Sequence, residues 1–193
     1  MKKIQFLLAF VVVLCFVSIS SGEEKTFYAG LGYANGYETF QTETEFDNTS
    51  GFYGRIGHYI DDKLAFELEY RNLPGFESDS RIGAGSLKAE VDIENYLLSI
   101  KYDPFTTERL DIYVIGSAGW MNVDTDIEDN QASYFDGLYG SYSDFCIRAG
   151  FGVDYFLLKS LALKVEAGSV FGTGDVSDFR FSVWQFGLTI YFF

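Results

Sequence analysis

The pattern of apolar and polar residues alternates with a period of two, and it is clearest at the end of the chain. Between Phe181 and Phe193 one alternate set is large and apolar, namely Trp184, Phe186, Leu188, Ile190 and Phe192. The other set is for the most part smaller or more polar, namely Val183, Gln185, Gly187, Thr189, Tyr191 and Phe193. A period of two indicates a β-strand whose two faces have different surroundings.

The same alternation recurs along the chain and predicts eight strands. Their expected ranges are about 26–37, 51–60, 64–73, 91–103, 110–122, 144–156, 161–171 and 181–193. Short turns at 61–63, 104–109 and 157–160 alternate with longer polar segments at 39–50, 74–90, 124–143 and 172–178. Short turns at one end and long loops at the other are typical of barrels that span the bacterial outer membrane, with the turns in the periplasm.

A soluble eight-stranded barrel is the alternative, with the apolar face inside. Glycines on the more polar face favour a narrow lumen filled with long side chains, and they are Gly30, Gly32, Gly57, Gly150 and Gly152. Aromatic residues near the strand ends favour interfacial girdles, and they are Tyr33, Tyr70, Tyr102, Tyr155 and Phe192. With the terminal Phe193 as a third feature, the sequence predicts a membrane barrel whose apolar face contacts lipid.

The start of the chain predicts a secretory signal peptide. Lys2 and Lys3 precede an apolar run at 4–17, which is shorter than the ~18–20 residues that a membrane helix needs. Small residues follow, so we expect cleavage before Glu23, with cleavage before Ser21 as the alternative. The domain prediction is a signal peptide at 1–22 and a barrel at 23–193.

The charge composition limits the kinds of partner that the protein can bind. The chain carries 14 Lys and Arg against 28 Asp and Glu, a formal net charge of −14. Binding to nucleic acid needs basic patches, so we expect no nucleic-acid partner. Cys146 is the single cysteine after the predicted cleavage, which excludes an internal disulfide.

Five short motifs carry a resemblance to small outer-membrane barrels of the OmpA transmembrane-domain and OmpX kind. They are Tyr28–Tyr33, Leu64–Tyr70, Leu110–Tyr113, Gly152–Tyr155 and the terminal strand. The resemblance covers about 26–193. It implies an eight-stranded antiparallel up-and-down transmembrane β-barrel with short periplasmic turns and long extracellular loops. It also implies a monomer in the outer membrane of a Gram-negative bacterium, in contact with lipid and lipopolysaccharide.

The terminal strand resembles the signal that the barrel-assembly machinery reads in this family. The matching positions are Gln185, Gly187, Ile190 and Phe192. These barrels usually end on the last aromatic of the pattern, whereas Phe193 follows it here. The same residues would in any case build a lipid-facing strand.

The resemblance also implies a network of acid–base pairs in the lumen. Glu67 matches a family Glu, Asp154 another acid and Lys164 a family Arg, whereas the family's lumen Lys falls at Ser99, so Lys101 is a candidate substitute. Unpaired buried charges are costly, so we expect paired inward-facing groups, with Lys164 pairing Glu67. The expected set is Arg55, Glu67, Glu69, Lys101, Arg148, Asp154, Lys164 and Glu166.

Candidate chemistry is sparse. His58, the single histidine, is expected near the periplasmic end on the lipid face, whereas Asp79 and Ser80 are expected in an outer loop. The acidic stretch at 124–129 resembles a calcium loop, but Asp129 and Phe135 stand where that motif has Gly and Glu. We therefore expect no catalytic residue, no metal and no cofactor.

These patterns predict a non-enzymatic integral outer-membrane protein with a structural or surface-interaction role through acidic extracellular loops. Its loop partner is not given by the sequence. A small pore for ions or solutes is the alternative, if the lumen charges leave a water path. A lipid-modifying enzyme is a third hypothesis.

Overall fold

The computed structural model describes residues 25–40, 46–82, 85–128 and 140–193. Side chains at 79–88 and 127–128 are not described. The predicted signal peptide at 1–22 lies outside the described residues, as does most of the predicted acidic loop.

Eight strands follow one another around a closed antiparallel barrel, which confirms the predicted fold class. They are β1 Phe27–Glu38, β2 Thr49–Tyr59, β3 Leu64–Ile82, β4 Gly85–Thr106, β5 Leu110–Glu128, β6 Gly140–Leu158, β7 Leu161–Gly172 and β8 Arg180–Phe192. One 3-10 turn, Gly174–Val176, lies between β7 and β8. Within the described residues, no helix has the length and apolar character needed to cross a membrane.

The barrel closes where β1 pairs with β8, in a register that runs from Phe27 opposite Phe192 to Glu38 opposite Phe181. Gly32 faces Gly187 in this register. A methyl group at Gly32 would collide with the Phe186 carbonyl oxygen and the Gly187 Cα. Closure therefore depends on the absence of a side chain at this point.

The two faces of each strand have opposite character. On β8 the expected apolar set points outward, with Trp184, Phe186, Leu188 and Ile190 all 44–49% exposed. Gln185 and Thr189, between them, point inward and are 0% exposed. Large apolar groups on the outside and polar groups inside are the reverse of a soluble barrel and the arrangement that a bilayer requires.

Four strands are longer than the alternation predicted. β3, β4, β5 and β6 have 19 to 22 residues each, whereas the other four have 11 to 13. The expected loop at 74–90 is therefore wrong in large part, since 74–82 and 85–90 are strand. Of the expected loop at 124–143, the ends 124–128 and 140–143 are strand, and 129–139 lie outside the described residues. The four long strands form a sheet that extends beyond the outer end of the rest of the barrel, here called the outer sheet.

A β-bulge explains why Pro74 and Gly75 do not end β3. The register with β4 shifts between Leu73 and Phe76, and Gly75 adopts φ +72°, which suits glycine. The Gly75 N–H donates to Asp92 Oδ1 at 2.7 Å, so the turn residues are absorbed into the sheet. Pairing with β4 then resumes and carries β3 outward.

The inner face of the outer sheet is apolar, and two connections fold over it. Phe40 and Phe46 come from the β1–β2 connection, and Val176 and Phe179 from the β7–β8 connection; all four are buried. The Phe40 ring lies 5.1 Å from that of Phe76, 5.4 Å from that of Phe46 and 5.4 Å from that of Phe179. We call these five residues the outer cap. It closes the extracellular end by apolar packing.

We expect Gly32→Ala to lower the free energy of unfolding by about 1–3 kcal/mol, because the added methyl group forces β1 and β8 apart. Urea unfolding in detergent micelles, followed by the mobility of the unheated protein on gels, measures the change. The matched control is Gly54→Ala, since a methyl group there meets nothing within 4 Å. Equal stability of the two variants would contradict the inferred constraint.

Candidate functional site in the lumen

Charged side chains fill the middle of the barrel. The structure places all eight residues of the expected set in the interior, and none is more than 3% exposed. They come from β2, β3, β4, β6 and β7, so their contacts cross the lumen as well as linking neighbouring strands. The set forms two connected layers, each built around one residue with several partners.

Arg55 lies at the centre of the first layer. Its Nη1 lies 3.1 Å from Glu67 Oε1 and 2.9 Å from Glu166 Oε2. Its Nη2 lies 2.9 Å from Glu69 Oε2 and donates to Gln185 Oε1. One guanidinium therefore joins acids on two strands and an amide on a third, as its planar set of donors permits.

Glu69 is the complementary acid of the first layer. It accepts from Arg148 Nη1 at 3.2 Å and from Gln185 Nε2 at 3.0 Å, and it pairs with Arg71 Nη2. Arg148 also pairs with Glu166. Every acid of this layer is thus compensated by at least one arginine.

Asp154 is the centre of the second layer. Lys101 Nζ lies 2.9 Å and Lys164 Nζ lies 3.6 Å from its carboxylate, and the Tyr191 hydroxyl donates to it at 2.7 Å. Lys164 also lies 3.6 Å from Glu166, which links the two layers. Buried ion pairs of this kind hold a fold only while each member keeps its partner.

One expected pair is wrong. Glu67 pairs with Arg55 and accepts from the Tyr28 hydroxyl at 2.9 Å, and the described side chains include no ion pair between Glu67 and Lys164. The register instead places Lys164 directly beside Asp154 on the neighbouring strand, with its Nζ 3.6 Å from that carboxylate.

Lys101 lies in the lumen network, as expected for the candidate substitute for the lysine that is missing at Ser99. Its ammonium group bridges Asp154 and Asp103, the latter at 3.3 Å, and donates to the Tyr59 hydroxyl at 3.0 Å. Ser99, where the family has a lysine, instead donates to Ser117 at 2.7 Å.

Several interior residues were missing from the expected set. Arg71 has the same strand parity as Glu67 and Glu69, so alternation alone could have included it. Gln185 was assigned only to the terminal pattern, yet its amide contacts both Arg55 and Glu69. Five buried tyrosines also line the network, and they are Tyr28, Tyr53, Tyr59, Tyr113 and Tyr191.

The periplasmic mouth is closed by Lys25. Its Nζ lies 2.6 Å from Asp111 Oδ2 and 4.2 Å from the centre of the Phe156 ring. The Tyr191 ring lies beneath it at 5.2 Å. Lys25, two residues before β1, thus stabilises this end by charge pairing and cation–π contact.

The residues of the terminal pattern have distinct positions. Gln185 faces the lumen, Gly187 faces Gly32, and Ile190 is 49% exposed on the outer surface. Phe192 pairs with Phe27, and Phe193 packs against the buried aromatic cluster at the periplasmic end. Recognition by the assembly machinery stays a prediction.

Chemistry outside the lumen is limited. His58 is exposed on the outer surface, with Nδ1 2.9 Å from the Thr26 carbonyl oxygen and its ring 4.4 Å from that of Phe27. Asp79 and Ser80 lie in β3, not in the expected loop. Within the described part of the chain, no group of three His, Cys, Asp or Glu residues is placed to hold a metal ion.

Asp144 is a polar anchor at the outer rim, above the apolar belt. The Phe145 N–H donates to its Oδ1 at 2.6 Å and the Asp175 N–H to its Oδ2 at 3.0 Å. These bonds favour the ionised carboxylate and hold the pKa of Asp144 below its ordinary value, with the Phe145 contact the larger cause. Asp144 thereby fixes the β7–β8 turn against β6.

A closed eight-stranded barrel with an apolar outer belt and a charged interior defines a transmembrane barrel of the outer-membrane class. The sequence matches the family model described as "Outer membrane protein beta-barrel domain" over residues 6–192. The chain therefore belongs to this family and is an outer-membrane protein, as the resemblance implied.

Solved structures share the fold at low sequence identity. Ail, the attachment invasion locus protein of Yersinia pestis, superposes with a TM-score of 0.59 at 12% identity, covering 88% of this chain and 99% of Ail. Neisserial surface protein A superposes with a TM-score of 0.61 at 14% sequence identity, covering 86% of this chain and 97% of that protein. OprG from Pseudomonas aeruginosa superposes with a TM-score of 0.59 at 16% sequence identity, covering 88% of this chain and 96% of OprG. No significant match is found among curated proteins.

We expect the Arg55–Glu67 pair to show a coupling energy of at least about 1 kcal/mol in a double-mutant cycle with Arg55→Met and Glu67→Gln. The measurement is urea unfolding in micelles. Arg55→Met alone should cost about 3–5 kcal/mol, because it strands buried carboxylates. The matched control cycle replaces Arg55→Met with Lys164→Met, and its coupling to Glu67→Gln should be smaller, because Lys164 pairs with Asp154 and Glu166 and not with Glu67. A larger coupling in the control cycle would contradict the pairing described above.

Proposed function

We propose that this protein is a non-enzymatic outer-membrane scaffold with a plugged lumen, and that it presents an acidic outer surface to a partner outside the cell. In this proposal 1–22 is the export signal, the barrel-assembly machinery inserts the barrel, and a monomer sits among lipid and lipopolysaccharide.

The observation that carries the proposal is the continuous charge network across the lumen. Arg55 reaches acids on β3 and β7, and Lys101 reaches Asp154 on β6. The interior of an eight-stranded barrel is just wide enough for its side chains, so such a network occupies the path that a solute would take. The outer cap and Lys25 lie at the two ends of the same path.

The described outer surface is acidic on the extracellular side of β4 and β5. Asp92 faces Asp124 and Glu90 faces Asp126 in the register. Glu90, Asp124 and Asp126 are exposed, and Asp92 is half-buried. Like charges opposite each other destabilise a sheet, so these residues lower the stability of the fold. Such residues suit a role in binding a partner. This surface extends the predicted acidic character from the loops to the strands.

The surroundings of His58 agree with a non-enzymatic role. His58 stacks on Phe27 at the barrel surface, and its nitrogen is engaged by a backbone carbonyl. A nucleophile within hydrogen-bond reach, which acyl transfer requires, is not among its described contacts.

We expect the folded protein to give no stable channels in planar lipid bilayers, because ion pairs and the outer cap obstruct the lumen. A general porin prepared in the same detergent is the positive control. Reproducible single-channel steps would overturn the plugged-scaffold proposal in favour of a pore. Lipid profiles that change in cells carrying His58→Ala would instead support the enzyme hypothesis.

We expect no binding of sucrose octasulfate, because the acidic surface repels a polyanion. This heparin analogue is the ligand in a structure of Ail that shares 13% identity with this chain, with a TM-score of 0.57. Calorimetry with the micelle-bound protein at low salt measures it, and Ail serves as the positive control. Binding at low salt would contradict an acidic recognition surface.

A further inference from the structure

Arg71 and Asn95 form a buried polar pair at the outer limit of the lumen network. They lie directly opposite each other on β3 and β4, so their Cβ atoms are about 5 Å apart. Both residues are 0% exposed. The next inward-facing pair toward the outside of the cell, Leu73 opposite Ile93, is apolar and equally buried. Arg71 and Asn95 thus lie at the boundary between the charged lumen and the apolar interior of the outer sheet.

Most of the hydrogen-bonding capacity of this pair is unused. Arg71 Nη2 contacts Glu69, whereas Arg71 Nε and Nη1 have no hydrogen-bond partner among the described residues. In the same part of the chain, Asn95 has no partner at Oδ1 or at Nδ2. Arg55 and Arg148, by comparison, each leave only Nε without a partner. Polar groups are therefore less well satisfied at Arg71 and Asn95 than at the other arginines of the network.

Such groups are expensive to bury. A donor or acceptor that loses its water without gaining a partner lowers the stability of the fold, and the loss is larger for a charged group. Buried polar atoms in folded proteins therefore have a protein or solvent partner in the great majority of cases. A compact polar species between Arg71 and Asn95 would supply the absent hydrogen bonds.

The unused groups are mainly donors. Arg71 Nε, Arg71 Nη1 and Asn95 Nδ2 can only donate, and Asn95 Oδ1 is the single acceptor of the pair. A species that accepts several hydrogen bonds and donates none fits this set. The permanent charge of the Arg71 guanidinium favours a species with negative charge, because hydrogen bonds between ionised groups are the stronger ones.

The positive charge of Arg71 is also the least compensated in its layer. Its partner Glu69 is shared with Arg55, at 2.9 Å, and with Arg148, at 3.2 Å. Arg55 has two further carboxylate partners and Arg148 has one, whereas Arg71 has Glu69 alone among the described ion pairs. An anion beside Arg71 would therefore reduce a local excess of positive charge.

The surroundings of the pair limit the size and charge of such an anion. Met121, opposite Asn95 on β5, belongs with Leu73 and Ile93 to the apolar cluster that the outer cap completes. An anion at this depth must give up most of its water, and dehydration is most costly for a multiply charged ion. A small monovalent ion of the halide class fits these conditions better than phosphate or sulfate.

We propose that Arg71 and Asn95 hold a chloride ion at the outer end of the lumen network. The ion accepts hydrogen bonds from Arg71 Nε, Arg71 Nη1 and Asn95 Nδ2, and it balances the charge of the arginines around Glu69. The site lies inside the barrel and does not depend on the proposed acidic outer surface. It adds a bound ion to the side chains that fill the lumen.

Urea unfolding of the full mature protein in uncharged micelles, followed by unheated mobility on gels, measures the effect of chloride. Sodium gluconate replaces sodium chloride at constant ionic strength, because gluconate is too large for the site and screening is then unchanged. We expect the unfolding equilibrium constant to fall about tenfold for each tenfold rise in chloride above the Kd of the site. Equal stability in the two salts at every concentration would overturn the proposal.

Two variants remove the site in different ways. Arg71→Met removes the charge, and Glu69 keeps two arginine partners. Asn95→Leu replaces the amide with an apolar group of similar shape, which a buried position tolerates. We expect Arg71→Met to lose the dependence on chloride and Asn95→Leu to raise the Kd at least about tenfold. Full dependence on chloride in Arg71→Met would contradict the assignment.

Lys25→Met is the matched control, since it removes one positive charge at the opposite, periplasmic end of the barrel. We expect this variant to keep the dependence on chloride of the wild type. Loss of that dependence in Lys25→Met would show a general effect of net charge and would overturn the site.

Anomalous diffraction from crystals of the wild type grown in sodium bromide gives an independent readout. Bromide scatters anomalously at its absorption edge and water does not, so we expect an anomalous peak between Arg71 and Asn95. Density at that position without an anomalous signal would identify ordered water only and would overturn the proposal. If Arg71→Met fails to fold, the bromide peak and Asn95→Leu still decide.

Discussion

The structure depends on one constraint: charges enclosed in a narrow lumen must be compensated by other side chains. Arg55 satisfies it for acids on β3 and β7, and Asp154 satisfies it for lysines on β4 and β7. Because the partners come from strands far apart in sequence, the pairs also fix how the barrel closes. A buried charge without its partner would cost several kcal/mol, so the network specifies the strand arrangement as well as filling the space.

The interior of the barrel changes from polar to apolar between the membrane-embedded part and the outer sheet, and the two parts have different roles. The membrane-embedded part is polar and cross-linked by ion pairs, whereas the inner face of the outer sheet is apolar and packs like the core of a soluble domain. Phe40 and Phe179 belong to connections, yet both are buried against Phe76. The described outer part is therefore a packed sheet and not simply a set of loops. It can present a surface with defined geometry.

The sequence predicted those features that depend on residues close together in the chain, and it missed those that depend on pairing between strands. The faces of β8 were predictable because its large apolar residues recur at every second position. The outer part of β3 was not, because Pro74 and Gly75 are strong turn signals and only pairing with β4 overrides them. In the lumen, strand parity identified the charged residues well. It could not assign Glu67 to Arg55, because partners across a barrel depend on register and side-chain reach.

The acidic residues on the outer sheet oppose pairing between the edges of two copies of the chain. An uncovered edge strand in a crowded membrane invites pairing between copies, and natural sheets oppose this with charge. Among the described residues, the exposed charges beside the outer part of β6 are those of Asp124, Asp126, Asp175 and Asp178, and these like charges repel a second copy of the same edge.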